Sequence, residues 1–234
     1  MALVHEAHAE AFQVRCNSPG SEADPEWQVF GISNDSGWTY DRSSILHQGE
    51  PVLSLSGSLF AHPVLGVNAA AAVAALTALG LSPGQMEEGL RDFTGLPHRM
   101  QDLGAKSGVR FIDDSKSTTL SSLVAAVSMV EGPVHLIAGG IAKEIDVSFV
   151  KTFLANRPLT VYLIGRDAER LYQGWSGEMS CKVVNTLQDA LEASWRIAVR
   201  GETILLSPGC ASFDQFENYE HRGRCFAEYV ESLS

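Results

Sequence analysis

Three short segments hold the residues best able to do chemistry: Asp114-Ser115-Lys116, Gly139-Gly140-Ile141-Ala142-Lys143, and the run from Ser207 to Gly223. In the first, a carboxylate can hold ribose hydroxyls or a metal, and the lysine can meet a phosphate; equally, Asp114 and Ser115 can simply cap the next helix. In the second, two glycines permit a close backbone approach, and Lys143 offers a mobile ammonium to a carboxylate. In the third, Ser212 reads as the N-cap of a terminal helix whose free N–H groups suit an anion. Each segment follows a short apolar run, so each falls where a strand ends, the place where open α/β sheets bind ligands. Any one of them alone is as readily a plain turn. Together, Lys116, Lys143 and a helix N-terminus predict one anionic ligand held between three turns.

His98-Arg99 offers a further cation, placed to clamp a phosphate or to pair with one of the chain's many acids. The other histidines share no spacing, and the four tryptophans read as fillers rather than a stacking platform. There is no GxSxG, no Ser/His/Asp pattern and no metal-ligand cluster, so no protein-bound metal is predicted. Cys16, Cys181, Cys210 and Cys225 are scattered and read as reduced thiols. With 28 acidic against 17 basic side chains and a net charge of −11, a nucleic-acid partner is not expected. The first eight residues lack a signal-peptide pattern, and the longest apolar run, Ala69 to Leu81, is short of the ~20 residues that cross a bilayer. A cytoplasmic chain with no membrane partner is expected.

The elements that must position these residues change in texture along the chain. Early on, Gln28–Ile32 and Pro51–Leu55 read as strands, separated by turn signals at Asn34-Asp35-Ser36-Gly37 and Gln48-Gly49-Glu50-Pro51. Val67–Leu79 reads as an alanine-rich helix stopped by Gly80, and Ser82-Pro83 opens another that runs to about Phe93. From Gly108 onward the apolar runs 109–113, 134–138, 159–164 and 203–206 alternate with amphipathic stretches near 119–130, 146–156, 167–173, 187–199 and 213–233. Strand and helix in alternation predict an α/β fold with a mostly parallel sheet covered on both faces.

Four motifs in order carry a resemblance: Phe93-Thr94-Gly95-Leu96-Pro97-His98-Arg99, the Asp-Asp-Ser-Lys-Ser-Thr segment from Asp113, Gly139-Gly140 with Lys143 and Asp146, and Ser207 through Gly223. In these the chain resembles the Mur ligases, in particular the branch that adds D-glutamate to UDP-N-acetylmuramoyl-L-alanine. The resemblance implies that residues 1–97 are part of an α/β central ATPase domain and residues 98–234 a whole C-terminal Rossmann-like domain. It implies ATP as co-substrate, an acyl phosphate attacked by the amine of D-glutamate, and Mg2+ to balance phosphate charge. By the same resemblance Asn68, Arg99, Asp114 and Lys116 belong to the ATP site. Thr118, Lys143, Ser212 and the backbone around Tyr219 hold D-glutamate, and Lys116 and Lys143 are the catalytic lysines.

The chain departs from the family pattern at several points. Of the usual His-Asn-x-x-Asn only Asn68 remains, with Leu65 among the replacements; Thr119 stands where the family has asparagine. Glu144 follows Lys143 where a glycine or serine is usual, so an acid stands beside the lysine that attracts a carboxylate. No GxxxxGK[ST] occurs, so the magnesium ligands and the phosphate cradle are expected outside this chain, on a missing or separately encoded N-terminal half. Inactivity in isolation follows from that expectation. The alternatives are a non-catalytic nucleotide- or amino-acid-binding module, or a different amide ligase resembling folylpolyglutamate synthase, against which the Ser207–Gly223 motif argues.

Overall fold

A computed structural model describes residues 2–5, 27–31 and 37–233; Cys16, Ile32 and the expected turn residues Asn34-Asp35-Ser36 lie outside the described residues. The chain divides into two units, Met1–Thr94 and Gly95–Ser234.

The first unit carries a five-stranded sheet in the order β1 (Ala2–His5), β2 (Trp27–Phe30), β3 (Trp38–Tyr40), β4 (Ser44–His47), β5 (Glu50–Ser54). Neighbours are parallel from β1 to β3 and antiparallel from β3 to β5. The two strands expected here are β2 and β5; β1, β3 and β4 are only three or four residues long, too short for a pattern to show. Helix α1 (Pro63–Ala78) starts four residues before the expected Val67, because Pro63 has the φ of a first helical residue. Its Ala69, Ala70, Val73 and Ala74 bury one face among Trp38, Tyr40, Ile45, Leu53 and Leu55. Gly66 lies so close to the Tyr40 ring that a Cβ there would overlap it. Helix α2 (Pro83–Asp92) opens at Ser82, whose N–H donates to the Gln85 side chain at 2.9 Å.

The second unit is built on a six-stranded sheet in the order β10 (Ser180–Val183), β9 (Leu159–Ile164), β8 (Val134–Gly139), β11 (Thr203–Leu206), β7 (Val109–Asp113), β6 (Gln101–Lys106). All neighbours are parallel except the antiparallel edge pair β6–β7. Alternate residues feed two cores. Leu136, Val161, Leu163 and Leu205 face α3 (Leu120–Ser128), α4 (Val150–Leu154) and α5 (Ala168–Trp175), while Ile137, Tyr162, Ile204 and Leu206 face α6 (Leu187–Trp195) and α7 (Tyr219–Ser232). The four expected strands are there. The two additions, β6 and β10, are edge strands whose largely exposed residues form no apolar run.

Candidate functional site

Strands β8, β11 and β7 are neighbours, so the turns that follow them open side by side at one end of the sheet. The connection from β10 through α6 inserts β11 between β7 and β8, which brings together turns lying far apart in the chain.

Backbone hydrogen bonds lock these turns. Ile141 N–H donates to the Ala211 carbonyl at 2.8 Å and Ala211 N–H returns to Ile141 at 2.9 Å, joining the β8 and β11 turns. Gly209 N–H donates to the Ser117 carbonyl at 3.0 Å, joining the β11 and β7 turns. Gly140, at φ 128°, lies against the Ala211 carbonyl with no room for a Cβ.

The acids and hydroxyls continue the lattice. Asp114 is 8% exposed; its Oδ2 accepts from Ser207 Oγ at 2.8 Å and its Oδ1 from Met100 N–H at 3.2 Å. Burial pushes its carboxyl up to about 6, against the opposing pull of those hydrogen bonds and of Arg99. Asp113 accepts from Ser115 N–H at 2.9 Å, and its Oδ2 lies 2.7 Å from His98 Nδ1. His98 and Met100 both have positive φ, 60° and 48°, and Lys116 N–H donates to the His98 carbonyl at 3.0 Å. This strained bend leaves the Arg99 side chain exposed.

Lys116 folds its ammonium over the Tyr219 ring, 3.7 Å from the centroid, a cation–π contact that ties the β7 turn to α7. Lys143 Nζ donates to Thr118 Oγ1 at 3.3 Å. Ser212 is buried, Asn68 is an exposed residue of α1 in the other unit, and the Tyr219 carbonyl accepts from Ser115 Oγ at 2.8 Å. The structure therefore pairs Lys116 with Tyr219 and Lys143 with Thr118, in turns that also carry Asp114 and Ser212, while Arg99 lies in the bend before β6.

Two expectations about helix starts are corrected. Ser212 does not cap the terminal helix: α7 begins at Tyr219, and Asn218 Oδ1 accepts from His221 N–H at 2.7 Å. Ser212 instead starts an isolated turn, its carbonyl taking Gln215 and Phe216 N–H at 3.2 and 2.9 Å. Asp114 and Ser115 do not cap α3 either; Thr119 does, in a reciprocal arrangement with Ser122. In both cases tertiary bonds hold the loop in turns outside the helix: Asp214 Oδ2 takes Arg166 N–H at 2.7 Å, and Asp114 serves Ser207 and Met100.

Sequence reasoning passed over Arg222. It is 1% exposed, and its guanidinium donates to Ser115 Oγ (3.0 Å), the Ser115 carbonyl (2.8 Å) and the Cys210 carbonyl (3.1 Å). Burial lowers its pKa to about 10, which still leaves it cationic at neutral pH. The signal was there: Arg222 shares a helical face with Phe226 and Val230, and a charge on an apolar face needs an interior partner. Beside it, burial drives the Cys210 thiol up to about 12, so that sulfur is no nucleophile.

Among the described residues no group of three or more His, Cys, Asp or Glu side chains is placed to hold a metal ion. None of the described helices is long and apolar enough to cross a membrane.

No family model matches the chain. Among curated proteins it is 39% identical over 214 residues to the UDP-N-acetylmuramoylalanine–D-glutamate ligase of Pseudomonas savastanoi pv. phaseolicola, covering 90% of this chain and 47% of the relative. It is 42% identical over 170 residues to the protein of the same name from Nitrosomonas eutropha, covering 71% of this chain and 36% of that one. The chain thus spans about half the length, or less, of the curated relatives it matches. Among solved structures, the MurF ligase of Thermotoga maritima in complex with ADP superposes with a TM-score of 0.67 at 13% identity, over 100% of this chain and 55% of that one. That likeness speaks to the fold, while the sequence identities speak to descent. The chain belongs to the Mur ligase family, as a portion related to the D-glutamate-adding members.

Proposed function

We propose that the chain is the C-terminal part of an ATP-dependent ligase that adds D-glutamate to UDP-N-acetylmuramoyl-L-alanine in peptidoglycan synthesis, working in the cytoplasm. The observation that carries this reading is the Lys143–Thr118 pair. It sets an ammonium and a hydroxyl beside the start of α3, in a turn bonded to the Ser212 loop, which suits an amino-acid carboxylate.

In this reading Lys143, Thr118 and Ser212 hold D-glutamate, so that its amine faces the acyl phosphate made from ATP and the muramoyl-alanine carboxylate. The amine forms the amide bond and inorganic phosphate leaves. Asp114, Lys116 and Arg99 face the nucleotide. Lys116 leaves the Tyr219 ring to do so, which costs one cation–π contact. Magnesium, when bound, neutralises phosphate charge, and its ligands are assigned to the other half of the enzyme, with the phosphate cradle. A binding module stripped of catalysis would keep the same turns, but the relatives at 39% and 42% identity are named as ligases, which favours catalysis.

The test is complementation in vitro. Mixed with the P-loop-bearing half of a relative, the chain should restore phosphate release that requires both ATP and D-glutamate. A folded complex that releases no phosphate would remove the ligase reading.

A further inference from the structure

Two consecutive residues of opposite charge reach the same short segment. Lys143 Nζ binds Thr118 Oγ1 at 3.3 Å, and Glu144 Oε1 accepts from Leu120 N–H at 2.9 Å. Leu120 opens the nine-residue helix α3, so its N–H is one of those left free by the helix and carries part of the positive end of the dipole. A carboxylate of the protein itself therefore sits at the helix start, beside the lysine assigned to a substrate carboxylate.

The seat is only half used. Glu144 Oε2 is buried and has no hydrogen-bond partner, an arrangement that disfavours the bound side chain. The main chain at this point is anchored separately, since Arg170 Nη2 donates to the Glu144 carbonyl at 2.5 Å. Glu144 as a whole is only partly buried, and the next residue, Ile145, is 98% exposed, so this segment lies at the surface. The main chain is tied at its carbonyl, while the side chain is held through only one of its two carboxylate oxygens.

We propose that Glu144 is a displaceable resident carboxylate, a specificity-determining residue that an incoming acidic amino acid must replace at the start of α3. The proposal rests on the reading of Lys143 and Thr118 as a D-glutamate site. While seated, Glu144 takes the Leu120 amide, so a second carboxylate finds that donor already occupied. A neutral residue at this position would leave the amide open.

The test is an NMR titration of the full 234-residue chain with D-glutamate, reading the Leu120 amide and the dissociation constant, for the wild type, Glu144→Gln, Glu144→Ala and Lys143→Ala. The glutamine variant keeps size and shape, so a folding defect in the alanine variant would not end the test. Expected is tighter binding by about threefold in Glu144→Gln and on the order of tenfold in Glu144→Ala, with the Leu120 resonance moving on ligand addition. Loss of binding in Lys143→Ala with unchanged or weaker binding in both Glu144 variants overturns the resident role and leaves the D-glutamate reading standing. Absence of binding in all four proteins overturns that reading and the resident role with it.

Discussion

Asp114 shows how a single buried side chain can set a pH dependence. Its folded pKa of about 6 lies above the ordinary 3.8, so the folded chain binds this proton more tightly than the unfolded one. The stability it contributes is complete below about pH 4 and is lost as pH rises through about 6, leaving a penalty on the order of 3 kcal/mol at pH 8. Asp114→Asn, which keeps an acceptor for Met100 N–H, should therefore stabilise the second unit by about 1–3 kcal/mol at pH 8 and by almost nothing at pH 4, read by urea unfolding at the two pH values. Arg222→Met should cost about 3 kcal/mol in the same assay, because the Ser115 and Cys210 carbonyls lose their buried donor. Lys143→Ala should raise the KM for D-glutamate at least tenfold in the complemented enzyme and leave the KM for ATP nearly unchanged. Equal losses for both substrates would show the lysine wrongly assigned. Lys116, Lys143 and Asp114 were legible in the sequence because charged residues just after apolar runs mark strand ends, and Arg99 because Leu96-Pro97-His98-Arg99 interrupts the pattern of elements. Arg222 was less so, because its partners are two carbonyls and a hydroxyl, groups whose location no residue type announces.

Helix starts were the least legible elements, and their errors share a cause. Local propensity allows Ser212, Asp114 or Ser115 to cap, yet each lies in a loop already held by distant partners: Asp114 by Ser207 and Met100, Ser115 by Arg222 and the Tyr219 carbonyl. The caps fall instead to Thr119, Thr186 and Asn218, the polar residues immediately before each run that packs on the sheet. At α6 the Thr186 hydroxyl accepts from Asp189 N–H at 3.0 Å, and Asp189 Oδ2 takes Thr186 N–H at 3.1 Å. Thr186→Ala should lower the unfolding free energy by about 1 kcal/mol without changing nucleotide or amino-acid binding, as measured by denaturant unfolding and titration on one preparation. The edge strands β6 and β10 failed to show for the opposite reason: half exposed, they are placed by pairing with β7 and β9 rather than by an apolar run.

At the scale of the whole molecule, the second unit packs helices on both faces of its sheet, whereas the described core of the first is one cluster of α1 and α2 against short strands. Two thermal transitions are expected in calorimetry, the later one retained by a fragment of residues 95–234; a single transition lost in that fragment would mean that the units do not fold independently. The order of strands and helices from residue 109 onward was readable because continuous apolar runs and helical periodicity are local properties of a chain that must bury both faces of a sheet. By itself the sequence determined the α/β class, the strand ends that carry chemistry and, through four motifs, kinship to the Mur ligases. Only the tertiary structure decided that β11 enters between β7 and β8, that Arg222 ties the Ser115 and Cys210 loops, and that Glu144 sits on α3 beside Lys143. Those are contacts between segments far apart in the chain, set by which strands pair, and no local periodicity records a pairing.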